Sequence, residues 1–155
     1  MGILGGVTRA LIAVAAALVL LIGGLGLAVF VTRDEDSIAV DSPLSENLTR
    51  AIGTRDRVSL PELAPFDWDE VLVVARGTPR EAVSQRLGYE WTGDGDLDLG
   101  AQLIFLDGAR VARFADYRGL GRFEGFERPI DSLPRDEAVL RVSDLVVSPD
   151  RGPAR

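Results

Sequence analysis

Gln102-Leu103-Ile104-Phe105-Leu106-Asp107-Gly108-Ala109-Arg110-Val111-Ala112-Arg113-Phe114 is the stretch that decides the fold class. Two runs of strand-forming residues flank an Asp-Gly pair. That pairing signals a two-residue hairpin, because glycine accepts the positive φ that the turn needs. With Asp107 and Gly108 as the loop, Leu106 opposes Ala109 and Ile104 opposes Val111 on one face. Phe105 opposes Arg110 and Leu103 opposes Ala112 on the other. The first face is apolar and is expected to meet a helix. The second is mixed and is expected to be half exposed.

Upstream, Phe66-Asp67-Trp68-Asp69-Glu70 leads into Val71-Leu72-Val73-Val74-Ala75. A short β-branched run bounded by polar residues predicts a buried strand. Gly77 and Thr78-Pro79-Arg80-Glu81 follow. Thr78 is placed to cap a helix, Pro79 suits its first turn and Glu81 completes a capping box. Ala82, Val83 and Leu87 would face inward, Arg80, Gln85 and Arg86 outward, and Gly88 would end the helix. Residues 65–89 resemble a segment of small bacterial membrane-anchored envelope proteins of uncharacterised activity. The shared features are the Phe-Asp-Trp-Asp lead-in, the apolar strand and a Thr-Pro-x-Glu helix ending in Leu-Gly. The resemblance implies an anchored or secreted location and transfers no catalytic residue.

Further upstream, Pro43 to Gly53 predicts a short helix capped by Ser42 or Ser45, with Leu44, Leu48, Ala51 and Ile52 as its apolar stripe. Residues 54–63, with alternating charges and Pro61, read as a connection. Downstream, residues 116–137 read as a long irregular loop. Residues 138–147 read as a last strand, and the tail from Ser148 is expected to fray. The fold class that follows is α+β, a mostly antiparallel sheet covered by one or two helices.

From Ala10 to Val31 the chain carries no charge and no strong hydrogen-bonding side chain. A helix of about this length spans the ~30 Å hydrocarbon core of a bilayer. The expected organisation is a cytoplasmic leader (1–9), a transmembrane helix (10–32), an acidic linker (33–43), a soluble domain (44–147) and a tail (148–155). A short leader before a long carboxyl-terminal domain favours the domain outside the cytoplasm. A cleaved signal peptide is the alternative, with Gly24-Leu25-Gly26 or Gly26-Leu27-Ala28 as a weak cleavage site. Ala13 and Ala17, like Gly24 and Ala28, are small residues four apart, a spacing that permits helix-mediated dimers.

After Arg33 the chain carries 15 arginines against 24 carboxylates, a net −9. Phosphate binding needs a net basic face, so nucleic acid is not an expected partner. The absence of Cys, His and Lys excludes thiolate, histidine and Schiff-base chemistry. Neither a nucleophile elbow nor a phosphate loop is present. No cofactor is expected.

Three segments carry candidate chemistry. Asp94, Asp96 and Asp98 alternate as in a Ca²⁺ loop, but Leu99 and Phe105 stand where an EF-hand needs Gly and Glu. Asp67 and Asp69 beside Trp68 would serve a carboxylate-dependent envelope hydrolase, although alternation with Phe66 and Trp68 points them to solvent. Tyr117, Arg118, Arg122, Phe123, Phe126 and Arg128 interleave basic and aromatic residues, a composition favoured at protein interfaces. The expected role is therefore a single-pass, membrane-anchored, non-catalytic binding or accessory module. The lipid bilayer and an envelope protein are its expected partners. On this expectation, replacing Arg118, Arg122 and Phe126 together weakens capture without unfolding the domain.

Overall fold

A computed structural model describes residues 39–93 and 100–151. The leader, the apolar run with its small-residue pairs, linker residues 33–38, the Asp94-Asp96-Asp98 segment and the last four residues lie outside them. Among the described residues no helix is long and apolar enough to cross a membrane. The elements are α1 (Ser42–Thr54), β1 (Arg57–Ser59), α2 (Leu60–Leu63), β2 (Glu70–Val74), α3 (Arg80–Leu87), β3 (Gln102–Asp107), β4 (Arg110–Asp116), β5 (Arg122–Phe123), β6 (Ile130–Pro134), β7 (Val139–Ser143) and β8 (Val146–Pro149), with a 3-10 turn at Arg135–Glu137. The class is α+β, but the single expected sheet is two. One has the order β4-β3-β2-β6, the other β1-β7-β8-β5. All pairings are antiparallel except β5 with β8.

The β4-β3-β2-β6 sheet has an apolar core on each face. Val71, Val73, Leu103, Phe105, Ala115 and Leu133 point into the larger core, shared with α1, α2 and the second sheet. Leu72, Val74, Ile104, Leu106 and Phe114 point into a smaller one with Val83 of α3 and Trp91. Burial on both faces explains why β2 reads as an unbroken apolar run. The face of Ile104 and Leu106 does meet a helix, as expected. The opposite face is not half exposed: Leu103 and Phe105 are fully covered, Phe105 by the edges of Phe66 and Trp68 at 5.5 and 5.0 Å.

The hairpin forms with a different loop. Asp107 pairs with Arg110, so Gly108 and Ala109 make the turn, and only Gly108 (φ 60°) has positive φ. Glycine at the first central position is the signature of a type II′ turn. A bulge between Phe105 and Leu106 then shifts the register, setting Leu106 against Val111, Ile104 against Phe114 and Phe105 against Arg113. The extra residue brings Phe114 into the smaller core beside Trp91 (5.1 Å). Arg113 lies over the Phe66 ring at 4.7 Å.

The expected stripe of α1 is buried, together with Ser45. Its cap is neither expected serine but Asp41, a linker residue whose Oδ1 accepts from Leu44 N at 2.9 Å. Asp41 N donates to Phe114 O (2.9 Å), and its carboxylate pairs with Arg113 (2.9 Å). The end of the linker is thereby fastened to β4. Helix α3 stops at Gly88 in the left-handed region (φ 78°), as expected, but the Thr78 capping box does not form. Thr78 is buried, and its hydroxyl is drawn to the carbonyls of Ala75 (2.5 Å) and Pro129 (3.2 Å).

The two expected irregular segments carry three strands. Residues 57–59 pair with β7, residues 130–134 pair with β2, and residues 122–123 pair with β8. The last expected strand is a hairpin, turning at Asp144 and Leu145, both at positive φ (49° and 63°). The tail does not fray at Ser148. Asp150 pairs with Arg57 (3.0 Å) and Arg141 (2.9 Å), and Arg151 pairs with buried Asp131 (2.5 Å).

Candidate functional site

The loop after β4 is built round one side chain. Tyr117 is buried in the larger core, and its N–H donates to Ala101 O at 2.8 Å. Its hydroxyl oxygen accepts from Gly121 N at 2.9 Å. Glycine is required where the chain curls over this phenol. A Cβ on Gly119 would lie 2.4 Å from the Tyr117 hydroxyl oxygen, one on Gly121 2.6 Å from it, and one on Gly100 2.1 Å from the Tyr117 carbonyl oxygen. The chain therefore wraps Tyr117 closely and leaves Leu120 at the tip of the curl, 88% exposed.

The aromatics of the loop are its foundation. Phe123 packs on Tyr117 at 5.3 Å and Phe126 on Phe123 at 5.6 Å, and both are half-buried against the larger core. Tyr117, Phe123 and Phe126 hold the loop down rather than display it. Substituting Phe126 would therefore disturb packing as well as any contact.

The arginines are displayed. Arg118, Arg122 and Arg128 are exposed. Arg118 reaches Asp116 (3.3 Å) and Arg122 reaches Glu124 (3.6 Å). Arg76 joins them through the backbone. Ala75 N donates to Pro129 O at 3.0 Å, and Thr78 N closes a tight turn on Ala75 O at 3.1 Å. Gly77 (φ 74°) supplies the positive φ that a type II turn needs at its third residue, which puts Arg76 second and exposed. Arg128 precedes Pro129, so the two guanidinium-bearing segments are neighbours. A cleft of about 420 Å³ opens between them, lined by Arg76, Arg122, Arg128, Glu124, Leu120 and the glycines. The structure thus brings Arg122, Phe123 and Arg128 together, adds Arg76 and Leu120, and leaves Arg118 out of this cleft.

Arg118 lines a second hollow, of about 480 Å³, with Val40, Ser42, Ser45, Glu46, Thr49, Arg50 and Asp116. Its wall is a polar network. Ser45 donates its hydroxyl to Asp41 O (2.9 Å) and accepts from Asp116 N (3.1 Å), and Gln102 donates to buried Asp116 (2.9 Å).

The carboxylates round Trp68 are spread apart. Asp67 and Asp69 are exposed while Trp68 is buried, its indole N–H donating to Ala64 O at 2.9 Å. Asp69 accepts from Gly108 N (3.0 Å), which steadies the hairpin turn. Glu70 pairs with Arg86 (2.7 Å) and accepts from Ser132. Arg135 donates to the carbonyls of Phe66 (2.9 Å) and Trp68 (3.0 Å) and covers the indole face at 4.9 Å. Among the described residues no three carboxylates are grouped to hold a metal ion.

No protein-family model matches this chain, and no curated protein or solved structure matches it either.

Proposed function

We propose that the chain is a single-pass bacterial membrane protein whose residues 39–151 form a non-catalytic binding or accessory module outside the cytoplasm. The apolar run from Ala10 to Val31 supports the anchor. The observation that carries the binding role is the division of labour in residues 117–128. Aromatics are packed beneath, while Arg122 and Arg128, with Arg76, stand exposed round an open cleft. A purely structural loop on so acidic a domain has no need to gather guanidinium groups, whereas interfaces favour them. The partner reading is an envelope protein presenting carboxylate groups to these arginines.

A reporter active only outside the cytoplasm, fused to the carboxyl terminus and combined with membrane fractionation, tests the location. A full-length, membrane-bound, active fusion is expected. A shortened soluble product would make the run a cleaved signal, and an inactive full-length fusion would turn the module inward. For the surface, Arg76, Arg122 and Arg128 are replaced together by Gln. Cross-linking from this face in intact cells should fall while the melting temperature holds. A triple variant that melts like a core mutant would sink the assignment. For the hydrolase alternative, Asp69→Asn should leave envelope phenotypes unchanged on the reading preferred here.

A further inference from the structure

We infer that the cleft beside β5 takes an extended, carboxylate-bearing segment of a partner protein, added as a further strand to the β5 edge; this deepens the binding role proposed above and rests on it. Strand β5 stands at the end of the order β1-β7-β8-β5. Arg122 N donates to Leu145 O at 2.8 Å and Glu124 N to Val147 O at 2.9 Å, both on the β8 side. Backbone groups alternate in direction along a strand, so the N–H and C=O of Phe123, between those two residues, face the open edge. Gly121, Phe123 and Glu124 line the cleft along that edge, and Gly121 carries no side chain to shield it.

The chain closes other sheet edges and leaves this one bare. On β4, Phe114 O accepts from Asp41 N (2.9 Å), and Asp116 N donates to the Ser45 hydroxyl (3.1 Å). On β6, Ser132 N donates to the Asp131 carboxylate (2.8 Å), and Pro134 has no N–H to offer. Among the described residues no such contact falls on the backbone of Phe123. A bare edge is a template for another strand.

The side chains beside the edge select a carboxylate-bearing occupant. Arg76 and Arg128 line the same cleft, are exposed, and have no carboxylate partner among the described residues. Eight other arginines do reach a carboxylate, Arg122 among them. Two are thus left over in one place, on a chain whose 24 carboxylates outnumber its 17 basic residues. The net negative charge of the domain is screened beyond about 8 Å at physiological ionic strength, so the two guanidinium groups at hand decide the contact. Their planar forks match the geometry of a carboxylate. Leu120, 88% exposed, also lines the cleft and offers a contact to an apolar side chain of the segment. One residue supplies few backbone bonds, so the contact is weak and salt-sensitive.

The probe is a random heptapeptide library displayed on phage and panned against the full-length protein in detergent micelles. The expected result is enrichment of peptides with Asp or Glu at alternate positions, the spacing that puts carboxylates on one face of a strand. For the most enriched peptide, replacing Arg76 and Arg128 together by Gln should weaken binding by about tenfold while the melting temperature holds. N-methylation of alternate peptide nitrogens should abolish binding in one phase and spare it in the other. At saturating peptide the Phe123 amide should exchange with deuterium more slowly, with the amide of Val83 in α3 unchanged.

Acidic peptides that bind equally well when N-methylated in either phase, with Phe123 exchange unchanged, would overturn strand addition and leave the carboxylate-binding surface of the proposed function standing. A library without acidic enrichment, or binding that the double variant does not weaken, would overturn both. Slow Phe123 exchange without peptide, scaling with protein concentration, would give the edge to a second copy and overturn the proposal.

Discussion

Tyr117 should behave as the post on which the candidate site is built, and a three-variant series tests that role. Tyr117→Phe removes only the hydroxyl, which accepts the Gly121 N–H at 2.9 Å. That N–H is part-buried and can turn partly to water, so the cost is about 1 kcal/mol. Tyr117→Ala removes a ring that is 3% exposed and packs on Phe123. Truncating a buried aromatic costs about 3–5 kcal/mol, because a cavity is left where the ring was. Gly119→Ala puts a Cβ 2.4 Å from the Tyr117 hydroxyl oxygen and 2.6 Å from Cζ, so the loop must move. Its cost should be large when Tyr117 is present and small once Tyr117→Ala has removed the ring, and a double-mutant cycle isolates that coupling.

Trp68 and Trp91 report the unfolding, since each is buried in a different core. For a domain of this size about 1 kcal/mol corresponds to roughly 4 °C in Tm. In Tyr117→Phe the Gly121 amide should also exchange with deuterium about fivefold faster, the same free energy read locally. A Tyr117→Ala protein melting within about 4 °C of the parent would refute the post, since that loss is what the hydroxyl alone should cost.

Three further outcomes follow from contacts away from that loop. Asp41→Ala removes both the cap on Leu44 N and the partner of Arg113, and should cost about 1–2 kcal/mol in a thermal melt. Gly88→Ala forces a side chain to φ 78° at the end of α3; a loss of about 1 kcal/mol is expected, and an unchanged Tm would mean the helix ends another way. Arg151→Ala leaves the Asp131 carboxylate, 5% exposed, with two backbone N–H donors, from Glu127 (3.0 Å) and Ser132 (2.8 Å), and no ion-pair partner among the described residues. Because Arg151 is itself half exposed, about 1 kcal/mol is expected, with Arg151→Lys recovering part of it.

The parts of the fold legible in the sequence are those whose signals are local. Strand β2 is an apolar run, α3 ends at a glycine that must be left-handed, and the stripe of α1 needs only helical spacing. The parts that are not legible are decided by partners far along the chain. Strand β6 reads as part of a long irregular loop because Pro129, Asp131 and Pro134 crowd it. It is the edge strand beside β2, where proline is tolerated, and the buried aspartate is neutralised by Arg151 twenty residues on. The break at Asp144 and Leu145 is hidden because leucine is a poor turn residue. The hairpin register departs from the one its turn sequence implies, since the bulge answers to Phe114 filling the smaller core. In the candidate site the sequence supplies the arginines of residues 118–128. It does not supply Arg76, which arrives through backbone bonds to Pro129.

Leu120 does have a signal, an apolar residue between two glycines and two arginines, and its meaning depends on what the fold does with its neighbours. Burying Tyr117, Phe123 and Phe126 uses up the apolar side chains of the loop, so an exposed Leu120 cannot be explained as part of the core. Single exposed leucines are ordinary on protein surfaces. Leu120 and Leu145 belong to loops joined where Arg122 N donates to Leu145 O at 2.8 Å, and Leu145 holds a backbone conformation that leucine seldom adopts. Leu145→Asn relieves the φ 63° strain and should raise Tm by a few degrees, about 1 kcal/mol, in a thermal melt; an unchanged or lower Tm would mean that packing by the leucine side chain offsets the strain.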